Sequence, residues 1–406
     1  MIGLKCKACV MIIFIMIVNI CAYSYSDDLN EGQPVINAFV SKQKDPDATV
    51  PVINAHAAIV MDANSGRILY SKNADQRKYI ASTTKIMTAI VTLENGNVDD
   101  VVTISKRAAS IQGSSINLRE GEKLKLKELL YGLMLNSGND AAIAIAEHIG
   151  GDVETFVGMM NEKAKELNLT NTSFKTPHGL DRDGHYSTAN ELAQMTRYAL
   201  RNPEFAKICK TVSASITGRS LYNTNEMLGF YPGADGVKTG YTGQAGRCLV
   251  CSATRDGWKL ISVVLGCPTR TIRADSSRKI LDYSFKNYKQ QTILKADEEL
   301  KKISVIKGKK KFVSLTVNEE IKYPLKDEEL NKLKRVEDIP DSLEAPIGQG
   351  VGIGNISFSL NGNIIAKVQV KTKHEVPRKG FWDYMIDMIA SWFSYMNPSA
   401  DSQLAI

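Results

Sequence analysis

Histidine, cysteine and tryptophan are scarce in this 406-residue chain, at five, seven and three residues. Three of the cysteines, Cys6, Cys9 and Cys21, fall at the extreme N-terminus, leaving Cys209, Cys248, Cys251 and Cys267. The Cys248-x-x-Cys251 pair lies in an apolar run, CLVCSAT, that reads as a strand, where residues three apart face opposite ways. No histidine cluster accompanies it, so a shared metal is not expected, and all four are read as buried free thiols. A large excess of charge of one sign is also missing. The 51 basic and 44 acidic residues leave +7, too small a surplus to indicate a nucleic-acid partner. There is no internal repeat. With 43% hydrophobic and 23% charged residues, the chain has an ordinary folded composition, and its length suffices for two cores.

The N-terminus is distinctive. Lys5 and Lys7 precede an apolar run from Cys9 to about Ala22, followed by Ser24 and Ser26. This is the layout of a secretory signal peptide, with a retained anchor as the alternative. The chain is therefore expected to be exported, to the outer face of the cytoplasmic membrane or the wall space. Residues 1–26 are assigned to the signal and 27–54 to a polar leader. Ala57–Asn73 reads as a β-hairpin around Asn64-Ser65-Gly66. From about Ser105 to Asn202 the apolar residues recur with helical spacing. Strands return at GVKTGYT, GRCLVCSATRDG and WKLISVVLGC, then a helix over 272–288. Strands from both ends of this region bracket an all-helical insert, and a sheet built from them with helices against it is the economical arrangement. From residue 296 to 377 short alternating strands and turns indicate a separate small β domain.

The chemistry concentrates in three short stretches. In YIASTTKIMTAIVTLENG, Ser82 and Lys85 stand three apart at the start of an apolar helix, so they share a face. A serine hydroxyl needs a neighbouring base and a stabiliser for the oxyanion it creates, and a desolvated lysine can be that base. Alone the pair is weak: Ser-x-x-Lys recurs at Ser41/Lys44 and Ser276/Lys279, and an N-cap serine beside a snorkelling lysine is the bland alternative. The second stretch, LMLNSGNDAA, sets Ser137-Gly138-Asn139 between two apolar helical runs. A rival Ser115-Ile116-Asn117 sits in a polar loop. The third, GVKTGYTGQAG, carries the chain's one Lys-Thr-Gly, Lys238-Thr239-Gly240. Lys238 offers positive charge, Thr239 a hydroxyl, and Gly240 room for a substrate backbone. A strand-edge turn with a solvated lysine is the alternative.

Ser-x-x-Lys, Ser-x-Asn and Lys-Thr-Gly in this order are the signature of penicillin-binding proteins and class A β-lactamases. The chain resembles the D-alanyl-D-alanine carboxypeptidases, the low-molecular-mass penicillin-binding proteins, over roughly residues 55–397. STTKIMTA, LLYGLMLNSGNDAA, PHGLDRDGHYSTANELA, GADGVKTGYTGQAGRCLV and APIGQGVGIG carry the resemblance. It implies an α+β, β-lactamase/transpeptidase-like domain (antiparallel sheet flanked by helices with an all-helical insert) over residues 55–295, followed by the β-rich domain. It also implies a serine mechanism with no metal or organic cofactor. The substrate would be a peptidoglycan stem peptide ending in D-Ala-D-Ala, and β-lactams would acylate the same serine. Ser82 would attack and Lys85 take its proton. Ser137 and Asn139 would shuttle protons and hold the substrate amide. Lys238, Thr239 and Arg273 would hold the terminal carboxylate, and the backbone N–H groups of Ser82 and Tyr241 would form the oxyanion hole.

Position 191 is Glu where many relatives have Asp. A β-lactamase of class A would need a glutamate three before Leu167-Asn168, where Ala164 stands. A non-hydrolytic β-lactam receptor or wall-binding module and a transpeptidase also compete with the carboxypeptidase reading. Residues 378–397 form a last segment, before a tail at 398–406. On a helix, Asp383, Asp387, Ser391 and Ser394 fill a narrow polar arc opposite Phe381, Trp382, Met385, Ile389, Trp392, Phe393 and Met396. It is too short and charged to span a bilayer and suits the plane of a membrane interface. Packing on the β domain, or a dimer contact, is the competing reading.

Overall fold

The computed structural model describes residues 50–396. The signal segment, nearly all of the leader, the Ser41/Lys44 pair and the tail lie outside the described residues. The described chain divides into two units, up to Asn287 and from Tyr288.

The first unit opens with the expected hairpin, β1 (Ala57–Asp62) and β2 (Ile68–Lys72). A 3₁₀ turn at Ala81–Thr84 leads into α1 (Lys85–Asn95). Then come β3 (Val101–Thr103), α2 (Lys106–Ser110), β4 (Lys123–Lys125), α3 (Leu126–Met134), α4 (Asn139–Gly150), α5 (Val153–Glu166), α6 (Ala189–Ala199) and α7 (Pro203–Lys210). A small hairpin, β5 (Ser213–Ile216) and β6 (Arg219–Tyr222), precedes β7 (Ala234–Thr242), β8 (Gly246–Arg255), β9 (Trp258–Cys267) and α8 (Arg270–Asn287). The five long strands form one sheet in the order β2-β1-β9-β8-β7, with every pairing antiparallel. The sheet thus joins the two ends of the unit around the helical insert, as the strand pattern requires. β7 lies at its edge.

Helix α1 threads the core. Every residue from Lys85 to Thr92 is buried, so the helix is enclosed all round rather than on one stripe. Ile86, Met87 and Ile90 pack with Leu129, Leu133, Ile145 and Phe156 in one continuous core. Full burial of side chains this size contributes about 1.5–3 kcal/mol each. The position of the helix N-terminus, and hence of Ser82, is set by that packing.

The second unit holds β10 (Lys289–Leu294), β11 (Lys302–Ile306), β12 (Phe312–Thr316), β13 (Ile321–Leu325), β14 (Leu333–Asp338), β15 (Ser342–Glu344), β16 (Gly352–Leu360), β17 (Asn363–Thr372) and a terminal helix, α9 (Phe381–Met396). Six strands form a sheet in the order β14-β16-β17-β12-β11-β15, and β10 pairs with β13. Strand β11 alternates exposed and buried residues, as a half-buried strand should. The expected boundary at 296 falls too late. β10 hydrogen-bonds to β13 and Leu294 is in this unit's core, so the unit begins at Tyr288. In α9 no described side chain is buried. Trp382 and Phe393 are 75% and 62% exposed, which excludes packing of this face on the β domain. Asp383 instead pairs with Lys309 of that domain, and Asp387 with Lys379. Among the described residues no helix is long and apolar enough to cross a membrane.

Candidate active site

Ser82 is not in the α-helix but in the 3₁₀ turn before it. A 3₁₀ turn has three residues per turn, so positions i and i+3 eclipse. The Ser82–Lys85 pairing is therefore even more direct than an α-helix would give: Lys85 Nζ lies 2.9 Å from Ser82 Oγ. The turn is entered through Ala81 at φ +47°, a left-handed conformation costly for a residue with a Cβ. Several contacts hold it. Thr84 Oγ1 donates to Ala81 O at 2.8 Å, and Thr83 Oγ1 donates to Ile80 O at 2.6 Å. His185 Nδ1 accepts from the Lys175 amide, so its Nε2–H is the donor to Thr84 Oγ1 at 2.8 Å. Gly179 closes the arrangement from the other side, where a Cβ would come within 2.0 Å of Ala81 O.

Lys85 is wholly buried. Besides Ser82, its Nζ meets Asn139 Oδ1 at 2.8 Å and the His178 carbonyl at 2.7 Å. The Asn139 amide cannot turn round, because its Nδ2 donates to Gln112 O at 2.8 Å. Two of the three neighbours are thus pure acceptors, which a neutral amine satisfies with its two N–H bonds. In that neutral form the lone pair faces the Ser82 hydroxyl, whereas a protonated amine donates to all three neighbours. Burial first, and the positive charge of Lys238 second, push the Lys85 pKa well below its usual value, with Asp140 opposing. The imidazoles do not compete as bases. Burial lowers His178 to about 3 and His185 to about 4, and both Nδ1 atoms accept backbone N–H groups.

Asn139 begins α4, and the preceding turn places Ser137 at φ +60°. Ser137 is nearly buried, but its hydroxyl makes no hydrogen bond to another described residue, in contrast to the direct contact of Asn139 with Lys85. Asp140, next along the helix, accepts from Ser115 Oγ at 2.6 Å and from the amides of Ile116 and Leu118. The rival Ser115-Ile116-Asn117 is therefore a loop tied to α4, with its serine used up by Asp140.

Lys238, Thr239 and Gly240 lie on β7 beside the Ser82 turn. A Cβ on Gly240 would lie 2.9 Å from Ser82 N and 3.1 Å from Thr83 N. The glycine is thus required by the nucleophile's own turn, in addition to any room it leaves for substrate. The Tyr241 ring is 40% exposed and rests on the Arg247 guanidinium at 3.8 Å, a cation–π contact that fixes the ring at the cleft mouth. Thr239 Oγ1 bonds Thr224 Oγ1 at 2.7 Å, and Asn225 Nδ2 donates to Gly236 O. Arg273 is fully buried, its Nε and Nη2 each 2.8 Å from a Glu226 oxygen. The 224–226 segment thereby ties Arg273 into the support of β7. It carries no recognisable spacing in the sequence, nor do Gln112 and Asp140. The PHG stretch around His178 was legible only through the resemblance.

Glu191 is explained by reach. Its carboxylate accepts from Asn171 N at 2.8 Å and from Thr172 Oγ1 at 2.5 Å, pinning the 171–172 turn to α6. Ala164 is buried in the helical core and Asn168 takes φ +57° at the end of α5, so that stretch is a helix end. Cys209, Cys248, Cys251 and Cys267 are free and buried, and burial raises the pKa of Cys209, Cys251 and Cys267. Among the described residues no group of three or more metal-ligating side chains occurs.

A half-exposed serine, a buried depressed-pKa lysine in contact with it and a strand edge against its turn define an active-serine acyl-transfer enzyme. Comparison with known proteins makes this specific. Residues 43–269 match the family model described as D-alanyl-D-alanine carboxypeptidase, and residues 288–378 match that of the penicillin-binding protein 5 C-terminal domain. The chain belongs to the D-alanyl-D-alanine carboxypeptidase family. It is 38% identical to the D-alanyl-D-alanine carboxypeptidase DacF of Bacillus subtilis, over 84% of this chain and 90% of that protein. The structure of penicillin-binding protein 5 from Haemophilus influenzae matches with TM-score 0.71 and 35% identity, over 81% of this chain and 99% of that one. A Streptomyces K15 DD-transpeptidase structure matches with TM-score 0.57 and 38% identity, over 58% of this chain and all of that one.

Proposed function

We propose that this chain is a serine-type DD-carboxypeptidase that removes the terminal D-alanine from peptidoglycan stem peptides and is acylated by β-lactams. The observation that carries the mechanism is the wholly buried Lys85 amine, its Nζ 2.9 Å from Ser82 Oγ and its pKa pushed down by burial. Ser82 Oγ attacks the carbonyl of the D-Ala-D-Ala bond as its proton passes to Lys85 Nζ. The oxyanion that forms is held by the backbone N–H groups of Ser82 and Tyr241, on the two segments that meet at Gly240. Collapse breaks the C–N bond, and Lys85 returns the proton to the departing D-alanine amine. Water then attacks the ester with Lys85 again taking its proton, and Ser82 leaves as the free hydroxyl. Lys238 and Thr239 receive the substrate's terminal carboxylate, while Arg273, its charge paired with Glu226, supports the strand from behind.

Purified protein incubated with diacetyl-Lys-D-Ala-D-Ala is expected to release D-alanine, and Ser82→Ala to release none. Labelled penicillin bound at Ser82 without D-alanine release would instead support a receptor. Transfer of the acyl group to an added amino acid in preference to water would support a transpeptidase.

The same reading covers location. Asp383 of α9 pairs with Lys309 of the β domain while Trp382, Ile386, Ile389 and Phe393 stand in solvent, which suits a helix lying on a lipid surface. The protein then works on the outer face of the membrane after export. Anionic phospholipid vesicles should co-sediment the intact protein and leave the Trp382→Asp/Phe393→Asp variant in the supernatant. Equal pelleting of both would remove the proposal.

A further inference from the structure

A groove of about 790 Å³ lies across the end of the first unit's sheet where β7 stops. Its floor is the β7–β8 turn, Gly243 to Gly246, and the end of β9 at Gly266–Pro268, with His56 leading into β1. Its wall is the 77–79 segment just before the Ser82 turn, together with Gly184–Tyr186. No lining residue is acidic. Arg77 holds Asn171 Oδ1 through Nε and Nη2, and its guanidinium lies 4.7 Å from the Tyr186 ring centroid. The Lys78 ammonium has no carboxylate within ion-pair distance among the described residues. The groove is therefore basic, aromatic-walled and large enough for a ligand of several residues.

Its place relative to the reaction follows from the direction of the substrate, and so rests on the carboxypeptidase reading. The terminal carboxylate goes to Lys238 and Thr239, and the attacked carbonyl to the Tyr241 amide. The substrate thus runs antiparallel to β7, and the chain N-terminal to the cleaved bond passes Thr242. There Thr242 Oγ1 donates to Asp181 Oδ1 at 2.7 Å, joining the strand end to the loop that walls the groove. Beyond that point lie Gln244 and the two cations.

We propose that this groove is a specificity subsite for the anionic N-terminal portion of the stem peptide. Arg77 and Lys78 pair with its free glutamate carboxylate, while the Tyr79 and Tyr186 rings flank the peptide. The enzyme's preferred substrate is then the longer acidic stem rather than an acylated tripeptide. Charge-assisted hydrogen bonds to a carboxylate supply the selectivity.

The test uses the intact protein and three substrates: diacetyl-Lys-D-Ala-D-Ala, the pentapeptide L-Ala-γ-D-Glu-L-Lys-D-Ala-D-Ala, and the same pentapeptide with its glutamate α-carboxylate amidated. Wild-type protein should cleave the acidic pentapeptide with a kcat/KM about tenfold above the amidated one, mostly through KM. In Arg77→Glu/Lys78→Glu that ratio should fall to about one or invert. A wild-type ratio near one, or a ratio that survives the double substitution, overturns the subsite while tripeptide cleavage leaves the carboxypeptidase reading standing. Failure of wild-type protein on all three substrates overturns both.

Discussion

Lys85→Arg is expected to lower the rate of Ser82 acylation, by penicillin and by peptide alike, by about 10²–10⁴-fold, the usual contribution of a positioned general base. Arginine is positively charged and is never deprotonated in a protein, so it offers Ser82 no lone pair. It must also fit a wholly buried site filled by three short hydrogen bonds. Stopped-flow acylation checks this, and a variant within tenfold of wild type would remove Lys85 from the role of base. The pH dependence has a definite sign. The active form is the neutral amine, and its pKa is depressed by burial and then by Lys238. The acylation rate should rise with pH through that depressed value and level off well below the ordinary lysine pKa of about 10.4. Lys238→Gln removes the second cause, so the rising limb should move to higher pH. Stability follows the same direction. Between the depressed pKa and about 10.4 the unfolded chain binds a proton that the folded chain does not, so stability rises with pH across that window.

Gly240→Ala is expected to cost about 10²–10³-fold in kcat, the scale of a lost oxyanion donor. Its effect is steric, since the new Cβ would stand 2.9 Å from Ser82 N and 3.1 Å from both Thr83 N and Ala81 Cβ. These are backbone and short side-chain atoms of a turn already tied down by Thr83, Thr84 and His185 and closed off by Gly179. The strand must therefore retreat, taking the Tyr241 amide away from the attacked carbonyl. Overpacking of this kind also costs about 1–3 kcal/mol of stability. Gly158→Ala, on α5 where an added Cβ meets nothing within 4 Å, is the control and should leave kcat unchanged while raising stability by about 0.5–1 kcal/mol. Retention of kcat within threefold in Gly240→Ala would show that the strand and the turn are not closely coupled.

Most of the fold was legible because it is built from local patterns. The Ala57–Asn73 hairpin, the helical insert and the three strands from Ala234 to Cys267 each carry a period or turn signal that side-chain burial enforces. The boundary at Tyr288 was missed because β10 is short and mostly half-exposed, with Leu294 its one buried residue, and only its pairing with β13 assigns it. Ser82 was expected on the α-helix itself. No periodic signal separates a 3₁₀ turn from the first turn of an α-helix, and only the packing against Gly179 and Gly240 selects it. Arg273 was expected at the substrate carboxylate, and its bidentate partner Glu226, 47 positions away, is invisible to spacing rules.

What the sequence by itself determined was the set of reacting groups. Ser82 with Lys85, Ser137 with Asn139, and Lys238-Thr239-Gly240 are each contiguous within four residues, and their order is a property of the chain alone. What only the tertiary structure decided was the state of those groups. Lys85 becomes a base because Asn139 and the His178 carbonyl, 54 and 93 positions away, occupy its N–H bonds in a site from which water is excluded. A pKa depends on burial and on charges close in space, and neither is a local property of sequence.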